Sequence, residues 1–239
     1  KQKPSVRKLI RKEAVKKKAI LLEEGKEWKV LKKLKSSFIL KFKNDIHEFK
    51  NPNLHGQHQI DNAATAVSAA LAIKKYKCSL DKIEKGIETT NWPGRMQKLN
   101  NGKLQKIVGK NFHIWLDGGH NAHAAEILYS EINQWNGSNV ILILGMIFGK
   151  DPVNFLKKII HKVSLLILLP IDNHQYIHPY KIKENLNFKF KNTVEILTCL
   201  DVKEALRLIL RKFPNGKVLI CGSLYLAGQI LKEDGVEVS

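Results

Sequence analysis

The stretch "FHIWLDGGHNAHAAEILYSEINQW" (112–135) decides the architecture of the second part of the chain. A short apolar run ends at Asp117, a turn with two glycines follows, and apolar residues then recur at helical spacing. Another apolar run, "NVILILGM" (139–146), comes next and leads into "DPVNFLKKIIHKV" (151–163), which we predict to be a helix. Near-continuous apolar strands that alternate with amphipathic helices are typical of a parallel sheet covered on both faces.

The same alternation continues to the end of the chain. Further strands are predicted within 164–170, 193–198 and 216–223, and further helices within 178–187, 201–213 and 224–232. We therefore predict an α/β fold, with a doubly wound, Rossmann-like, mostly parallel sheet in residues 93–239. The segment "WPGRMQKL" (92–99), which contains Pro93 and Gly94, is interpreted as a hinge or linker before this domain.

Residues 1–92 have a different pattern and are predicted to form a separate domain. Their first 50 residues mix short apolar runs with lysines and predict a short helix followed by strands. From about His58, small apolar residues recur at helical spacing, and such an alanine-rich helix allows close approach to a neighbouring element. A second helix is predicted to begin after Ser79, which is a suitable N-cap residue.

Composition limits the classes of protein to which the chain can belong. The 239 residues are 44% hydrophobic, which is enough to build a folded core, and their apolar runs are too short to cross a bilayer. Three widely spaced cysteines indicate reduced thiols rather than a disulfide framework. The basic start lacks the apolar core of a secretory signal, so we expect a cytoplasmic protein without a membrane partner.

The formal net charge of +19 leaves two interpretations open. The 41 lysines and arginines, against 22 acidic residues, are mostly lysines scattered along the chain, and we favour a solvated lysine surface. The alternative is that the charge attracts anionic substrates or, less favoured, that the chain is a basic α/β module that binds nucleotide or nucleic acid without catalysis, although motifs for stacking bases are missing. A nicotinamide-dependent oxidoreductase is disfavoured because no G-x-G-x-x-G follows a predicted strand.

Ligands of open α/β sheets bind beyond the carboxyl ends of the strands, so the turns there hold the candidate site. At the first turn, Asp117 has two roles open to it, which are to accept hydrogen bonds from ribose hydroxyls or to satisfy the following helix N-terminus. Asn121 is a candidate cap of that helix. His120 and His123 share a helix face, but no third ligand is nearby, so we predict no metal site.

Two other strand-end turns imitate known motifs. The turn "LGMIFGKDP" (144–152) is one residue too short for a phosphate loop, and we predict that Asp151 and Pro152 begin a helix. In "CGSLYLAG" (221–228), Ser223 is a predicted N-cap, and Cys221 is interpreted as a small core residue rather than a nucleophile.

Five motifs in order, "HGQHQIDNAATA", "WPGRMQKL", "LDGGHNAHAA", "LGMIFGKD" and "CGSLYLAG", resemble folylpolyglutamate synthase/dihydrofolate synthase. That family is the folate-modifying branch of the Mur ligase-like amide ligases. The resemblance implies that Asp117 contacts the ribose of ATP and that His120 lies beside the nucleotide. It also implies that Asn62 and Arg95 are ATP contacts, with the arginine reaching the phosphates.

The chain departs from the family pattern because it has no G-T-N-G-K-G-S phosphate loop, which in the family precedes the magnesium ligands and a modified lysine. It resembles the second half, with 1–92 as the C-terminal part of the ATP-binding central domain and 93–239 as the C-terminal domain. The implied reaction uses ATP and Mg²⁺ to join L-glutamate to a pteroate or folate carboxylate through an acyl phosphate. We expect a monomer that is inactive unless a separate N-terminal half supplies the missing residues.

Overall fold

A computed structural model describes residues 2, 4–73, 78–135, 137–190 and 193–236. The chain divides into two compact units, Lys1–Asn91 and Trp92–Ser239. Each unit has its own hydrophobic core.

The first unit is a small antiparallel sheet with helices. The three strands pair in the order β1-β2-β3, and an irregularity in the register lies between Val30 and Lys32 of the first strand. The elements are α1 (Pro4–Lys16), β1 (Trp28–Lys33), β2 (Ser37–Phe42), β3 (Asp45–Lys50), α2 (His58–Ala72) and α3 (Leu80–Thr89).

The core of the first unit lies between one face of this sheet and the helices α2 and α3. Phe38, Leu40 and Phe49 point to that face and pack with Ala64 and Ile87. The alanine face of α2 permits this close packing, as the sequence predicts. Ser79 accepts a hydrogen bond from the backbone N–H of Lys82, which confirms the predicted N-cap of α3.

The second unit contains a six-stranded sheet in the order β4-β5-β9-β6-β7-β8. Every pair of neighbours is parallel except β4 and β5, which are antiparallel. The predicted α/β fold with a mostly parallel sheet is therefore confirmed. The elements are β4 (Gln97–Leu99), α4 (Lys103–Val108), β5 (Phe112–Leu116), α5 (Ala122–Ile132), β6 (Val140–Leu144), α6 (Pro152–Leu156), β7 (Leu165–Leu168), α7 (Pro179–Phe190), β8 (Glu195–Thr198), α8 (Val202–Lys212), β9 (Gly216–Cys221) and α9 (Leu224–Asp234).

Helices cover both faces of this sheet and form two separate apolar layers. The helices α5, α6 and α7 bury their apolar sides on one face, whereas α4, α8 and α9 bury theirs on the other. The strands β5 and β9 are neighbours, yet the helices that follow them lie on opposite faces. A crevice is expected where two neighbouring connections diverge in this way, and such a switch point is where open α/β sheets bind ligands.

The structure corrects two expectations about local structure. The segment 92–99 is not a free hinge, because Gln97–Leu99 is a strand of the sheet and Gly94 is hydrogen-bonded to Gly118. The helix predicted over 151–163 is shorter, since α6 ends at Leu156 and a 3₁₀ turn follows at Ile160–Lys162. The short helix α4 was not predicted, because its six residues carry too little periodicity.

Within the part of the chain that the structure describes, no helix combines the length and the apolar character that crossing a bilayer requires.

The turn after β9 depends on glycine, and substitution there tests the packing of the strand ends. Gly222 has φ +110°, and a Cβ at this position would lie 2.5 Å from the carbonyl oxygen of Gly145. We expect Gly222→Ala to lower the free energy of unfolding by about 3 kcal/mol, because strain and steric overlap add. Urea unfolding followed by circular dichroism measures this change.

Gly228 supplies the matched control. It lies inside α9, and a Cβ there would have no atom within 4 Å. Gly228→Ala should therefore raise the free energy of unfolding by about 0.5–1 kcal/mol. Equal effects of the two substitutions would contradict the assigned backbone at Gly222.

Candidate functional site

Three strand-end turns lie side by side at the carboxyl edge of the sheet. The backbone N–H of Asp117 donates to the carbonyl of Ile220, and the N–H of Gly222 donates to Gly119 at 2.9 Å. The N–H of Gly145 donates to the carbonyl of Cys221 at 3.2 Å. These bonds continue the sheet past the ends of β5, β9 and β6, so the turns that sequence analysis singled out form one surface.

The two glycines after Asp117 allow this close approach. A Cβ on Gly118 would lie 2.2 Å from the Cδ2 atom of Leu224, in the first turn of α9. A Cβ on Gly119 would lie 2.8 Å from the Oδ1 atom of Asp117. A larger residue at 118 would therefore overlap α9, and one at 119 would overlap the carboxylate of Asp117.

Asp117 is buried at this edge and connects two segments of backbone. Its side chain is 8% exposed, and its Oδ1 atom accepts a hydrogen bond from the N–H of Gly119 at 2.7 Å. Its Oδ2 atom accepts one from the N–H of Met96 at 2.9 Å. Asn121 caps α5, because its side chain accepts from the N–H of Ala124. The cap predicted at Asn121 is thus confirmed, whereas Asp117 accepts from the N–H groups of Gly119 and Met96.

Arg95 is positioned by the residues on both sides of it. Gly94 accepts a hydrogen bond from the N–H of Gly118 at 2.7 Å, and Met96 donates to Asp117. Met96 has φ +41°, a conformation that is uncommon for a residue with a side chain. Arg95 itself is half-buried, and within the described ranges its guanidinium makes no hydrogen bond or ion pair. Five N–H donors are therefore available at the site.

His120 lies in the same turn and is half-buried. Its Nδ1 atom is 3.0 Å from the carbonyl oxygen of Gly118. Because a carbonyl oxygen only accepts, this contact places a proton on Nδ1. His123 is exposed on α5, and the described residues include no group of three His, Cys, Asp or Glu side chains suited to a metal ion.

Asn62 belongs to the first unit. It is exposed on α2, where its Nδ2 atom donates to the Oε1 atom of Gln59, one turn earlier, at 3.0 Å. In the same turn, Asp61 forms an ion pair with Lys33 at 2.8 Å. Arg95, Asp117 and His120 thus lie together in the second unit, whereas Asn62 belongs to the first unit.

The remaining turn residues have the structural roles that the sequence predicts. Asp151 caps α6 by accepting from the N–H of Asn154, with Pro152 at the first helical position. Ser223 caps α9, and its hydroxyl accepts from the N–H of Tyr225 at 3.1 Å. Cys221 is fully buried, and burial raises the pKa of its thiol well above the ordinary value, with a smaller contribution from Asp117. A raised pKa disfavours the nucleophilic thiolate.

Sequence analysis missed a fourth segment at this edge, the loop that follows β7. The N–H of Ile177 donates to Met146, and the N–H of Phe148 donates to Gln175, so the loop lies beside the turn after β6. The rings of His174 and Tyr225 are in contact, with centroids 3.7 Å apart. The signal in the sequence was the alternation of histidine and tyrosine over 174–180.

Comparison with known proteins supplies the family. Residues 97–233 match the family model described as dihydrofolate synthetase, C-terminal domain, and this range is more than half of the chain. The chain belongs to the dihydrofolate synthetase family. The resemblance noted in the sequence is therefore confirmed, and Asp117 and His120 lie inside the matched range.

Individual relatives agree with the family. The chain is 28% identical over 196 residues to a probable dihydrofolate synthetase of Schizosaccharomyces pombe, with 77% of this chain and 44% of that protein covered. It is 31% identical over 176 residues to a UDP-N-acetylmuramoyl-L-alanyl-D-glutamate–L-lysine ligase of Streptococcus mutans, with 72% of this chain and 35% of that protein covered. The chain thus spans less than half the length of these curated relatives.

A solved structure shows the same fold. The Mycobacterium tuberculosis folylpolyglutamate synthase complexed with ADP superposes with a TM-score of 0.85 at 17% identity. The similarity covers 100% of this chain and 55% of that chain. Because the sequence identity is low, this similarity shows the fold alone and assigns no role to any residue.

Replacement of Asp117 tests its structural bridge. We expect Asp117→Asn to lower the free energy of unfolding by about 2 kcal/mol, because one of the two bound N–H groups would then face an amide N–H₂. Urea unfolding of the full chain measures the loss.

Asn121→Asp is the matched control, since it makes the reverse exchange in the same turn. Aspartate also caps helices well, so this variant should stay within about 0.5 kcal/mol of the wild type. An Asp117→Asn variant as stable as this control would show that the bonds to Met96 and Gly119 contribute little.

Proposed function

We propose that the chain is the C-terminal part of an ATP-dependent amide ligase that adds L-glutamate to dihydropteroate, to folyl-(poly)glutamate or to both. In this proposal, residues 1–92 complete the ATP-binding central domain and residues 93–239 form the C-terminal domain. The observation that carries it is the bridge from Asp117 to Met96, which holds Arg95, Asp117 and His120 at the switch point of the sheet. Membership of the dihydrofolate synthetase family supports the same substrates.

Asp117 is proposed to bind the ribose of ATP. One hydrogen bond to each carboxylate oxygen is used by backbone N–H groups, at 2.7 and 2.9 Å. A carboxylate at the end of a strand accepts hydrogen bonds from ribose hydroxyls, as an acidic residue does in dinucleotide-binding folds. The backbone bonds also fix the carboxylate in place, which lowers the entropy lost when a nucleotide binds.

Arg95 is proposed to bind the phosphates. A guanidinium binds phosphate oxygens with two parallel N–H···O bonds, and that of Arg95 has no carboxylate competing for it within the described part of the chain. Phosphoryl transfer to a carboxylate develops negative charge on the phosphate oxygens, so a fixed cation there stabilises the transition state. His120 presents Nε2 beside the same turn and is proposed to lie next to the nucleotide.

The proposed reaction has two steps. The substrate carboxylate attacks the γ-phosphorus of ATP, which releases ADP and forms an acyl phosphate. The amine of glutamate then attacks the acyl carbon, and phosphate leaves as the amide bond forms. Mg²⁺ would supply charge neutralisation at the phosphates. We propose that the metal ligands lie in the N-terminal half of the ligase.

Asn62 is proposed as a further ATP contact from the first unit. Its amide is held by Gln59 on the exposed side of α2. We further propose a cytoplasmic monomer that pairs with the N-terminal half. No observation of the structure favours nucleic acid as the partner of this site.

The chain alone should be inactive, and the N-terminal half should restore turnover. The test incubates the purified full chain with Mg-ATP, L-glutamate and either dihydropteroate or tetrahydrofolate. Product is measured as the glutamate adduct by mass spectrometry, with and without a co-expressed N-terminal half that carries the phosphate loop. Turnover by the chain alone would contradict the need for a second half, and an inactive complex of folded halves would contradict the ligase.

Arg95→Ala should lower kcat/KM for ATP about 100-fold in the restored enzyme, because the phosphates lose a charged donor. Arg207→Ala is the matched control, since Arg207 is exposed on α8 and should change kcat/KM less than twofold. If both variants were equally active, Arg95 would not be a phosphate ligand.

A further inference from the structure

A second concave surface lies at the opposite end of β5 from Asp117. It is an open cavity of about 520 Å³, and it is lined by Lys98, Lys106, Lys110 and His113 together with uncharged residues. His113 is near the start of β5, and Asp117 follows its end, so about 13 Å of strand separates the two places. The cavity is therefore distinct from the candidate nucleotide edge.

The walls of the cavity are held by backbone and amide contacts. The edge strand β4 pairs with β5 only from Ile114 to Leu116, so the first residues of β5 have no strand beside them on that side. The side-chain Nε2 atom of Gln105 replaces that neighbour, because it donates to the carbonyls of Phe112 at 2.9 Å and Gly109 at 2.6 Å. The loop that carries Lys110 is thereby fixed to α4.

The described side chains that line the cavity carry positive charge and no negative charge. No acidic side chain lines it, and in the described ranges Lys106 and Lys110 form no ion pair. Other lysines of the same unit do form such pairs, including Lys158 with Glu126 and Lys212 with Glu195. Lys106 and Lys110 therefore differ from these lysines, because no described carboxylate pairs with them.

Asp234 is the carboxylate that packs behind the cavity wall at Gly102. It is buried, and its Oδ1 atom accepts from the N–H of Leu104 at 2.8 Å. It therefore satisfies the start of α4 and does not extend into the cavity as a lining residue.

The neighbouring groups add to the positive potential. Lys217 lies opposite His113 in the register of β9 and β5. The pKa of His113 is lowered, first by burial and then by the charges of Lys98 and Lys217. The Nζ atom of Lys98 lies 5.9 Å from the ring centre of Trp115, which holds this side chain over the sheet.

We propose that this cavity binds a compact polyanion, meaning a small ligand with two or more closely spaced phosphate or carboxylate groups. Lys98, Lys106 and Lys110 line the same cavity, and several separate positive charges favour multiply charged ligands over single anions. The proposal does not depend on the ligase reaction, because none of these residues belongs to the candidate nucleotide edge.

Calorimetry with the full chain at low ionic strength tests the site. The probes are inorganic triphosphate and tetra-γ-glutamate, which separate phosphate from carboxylate as the preferred group. We expect one of them, or both, to bind with a stoichiometry of one. Lys106→Gln with Lys110→Gln should weaken that binding at least about tenfold, since two of the positive charges that line the cavity are removed.

The matched control is Lys157→Gln with Lys162→Gln, which removes the same charge from two exposed lysines of the same unit. It should change the dissociation constant less than twofold. Unchanged thermal midpoints by circular dichroism show that the variants are folded.

Equal weakening in the two double variants would overturn the proposal, because only the net charge of the chain would then matter. Failure of both probes to bind the wild-type chain would overturn it as well. A random DNA duplex is the third probe. If it bound more tightly than both small probes, and if Lys106→Gln with Lys110→Gln abolished that difference, the proposal of a compact ligand would be overturned in favour of nucleic acid.

Discussion

The candidate site depends on the two hydrogen bonds that the carboxylate of Asp117 accepts from backbone N–H groups. One oxygen accepts from Gly119 in its own turn, and the other accepts from Met96 in the segment that carries Arg95. A buried carboxylate that accepts two backbone N–H groups fixes both segments, because the loss of either bond leaves a polar group unsatisfied. The positions of Arg95 and His120 follow from that arrangement.

The sheet creates the place where this contact is useful. Since α5 and α9 lie on opposite faces, the carboxyl edge between β5 and β9 is a switch point, which is where open α/β sheets bind ligands. Gly118 and Gly222 allow these turns to approach closely, and larger side chains would overlap Leu224 or the backbone of Gly145. The same glycines are therefore needed for the packing of the sheet and for the shape of the candidate site.

The large positive charge has two different physical roles on this surface. Some lysines form exposed ion pairs, such as Lys158 with Glu126, and these contribute little to stability. Lys106 and Lys110 instead line a cavity without an acidic residue. The sequence predicted a scattered lysine surface, and only the loop fixed by Gln105 distinguishes one cluster from the rest.

The sequence by itself determined the alternation of strands and helices and the caps at Asn121, Asp151 and Ser223, because apolar period and capping act over a few residues. It also determined the family, through motifs that are local in the chain. Only the tertiary structure decided that the segment 92–99 is tied to the sheet and that Asp117 bonds to Met96, 21 residues away. Such contacts join distant backbone groups, and a backbone N–H leaves no mark in the sequence.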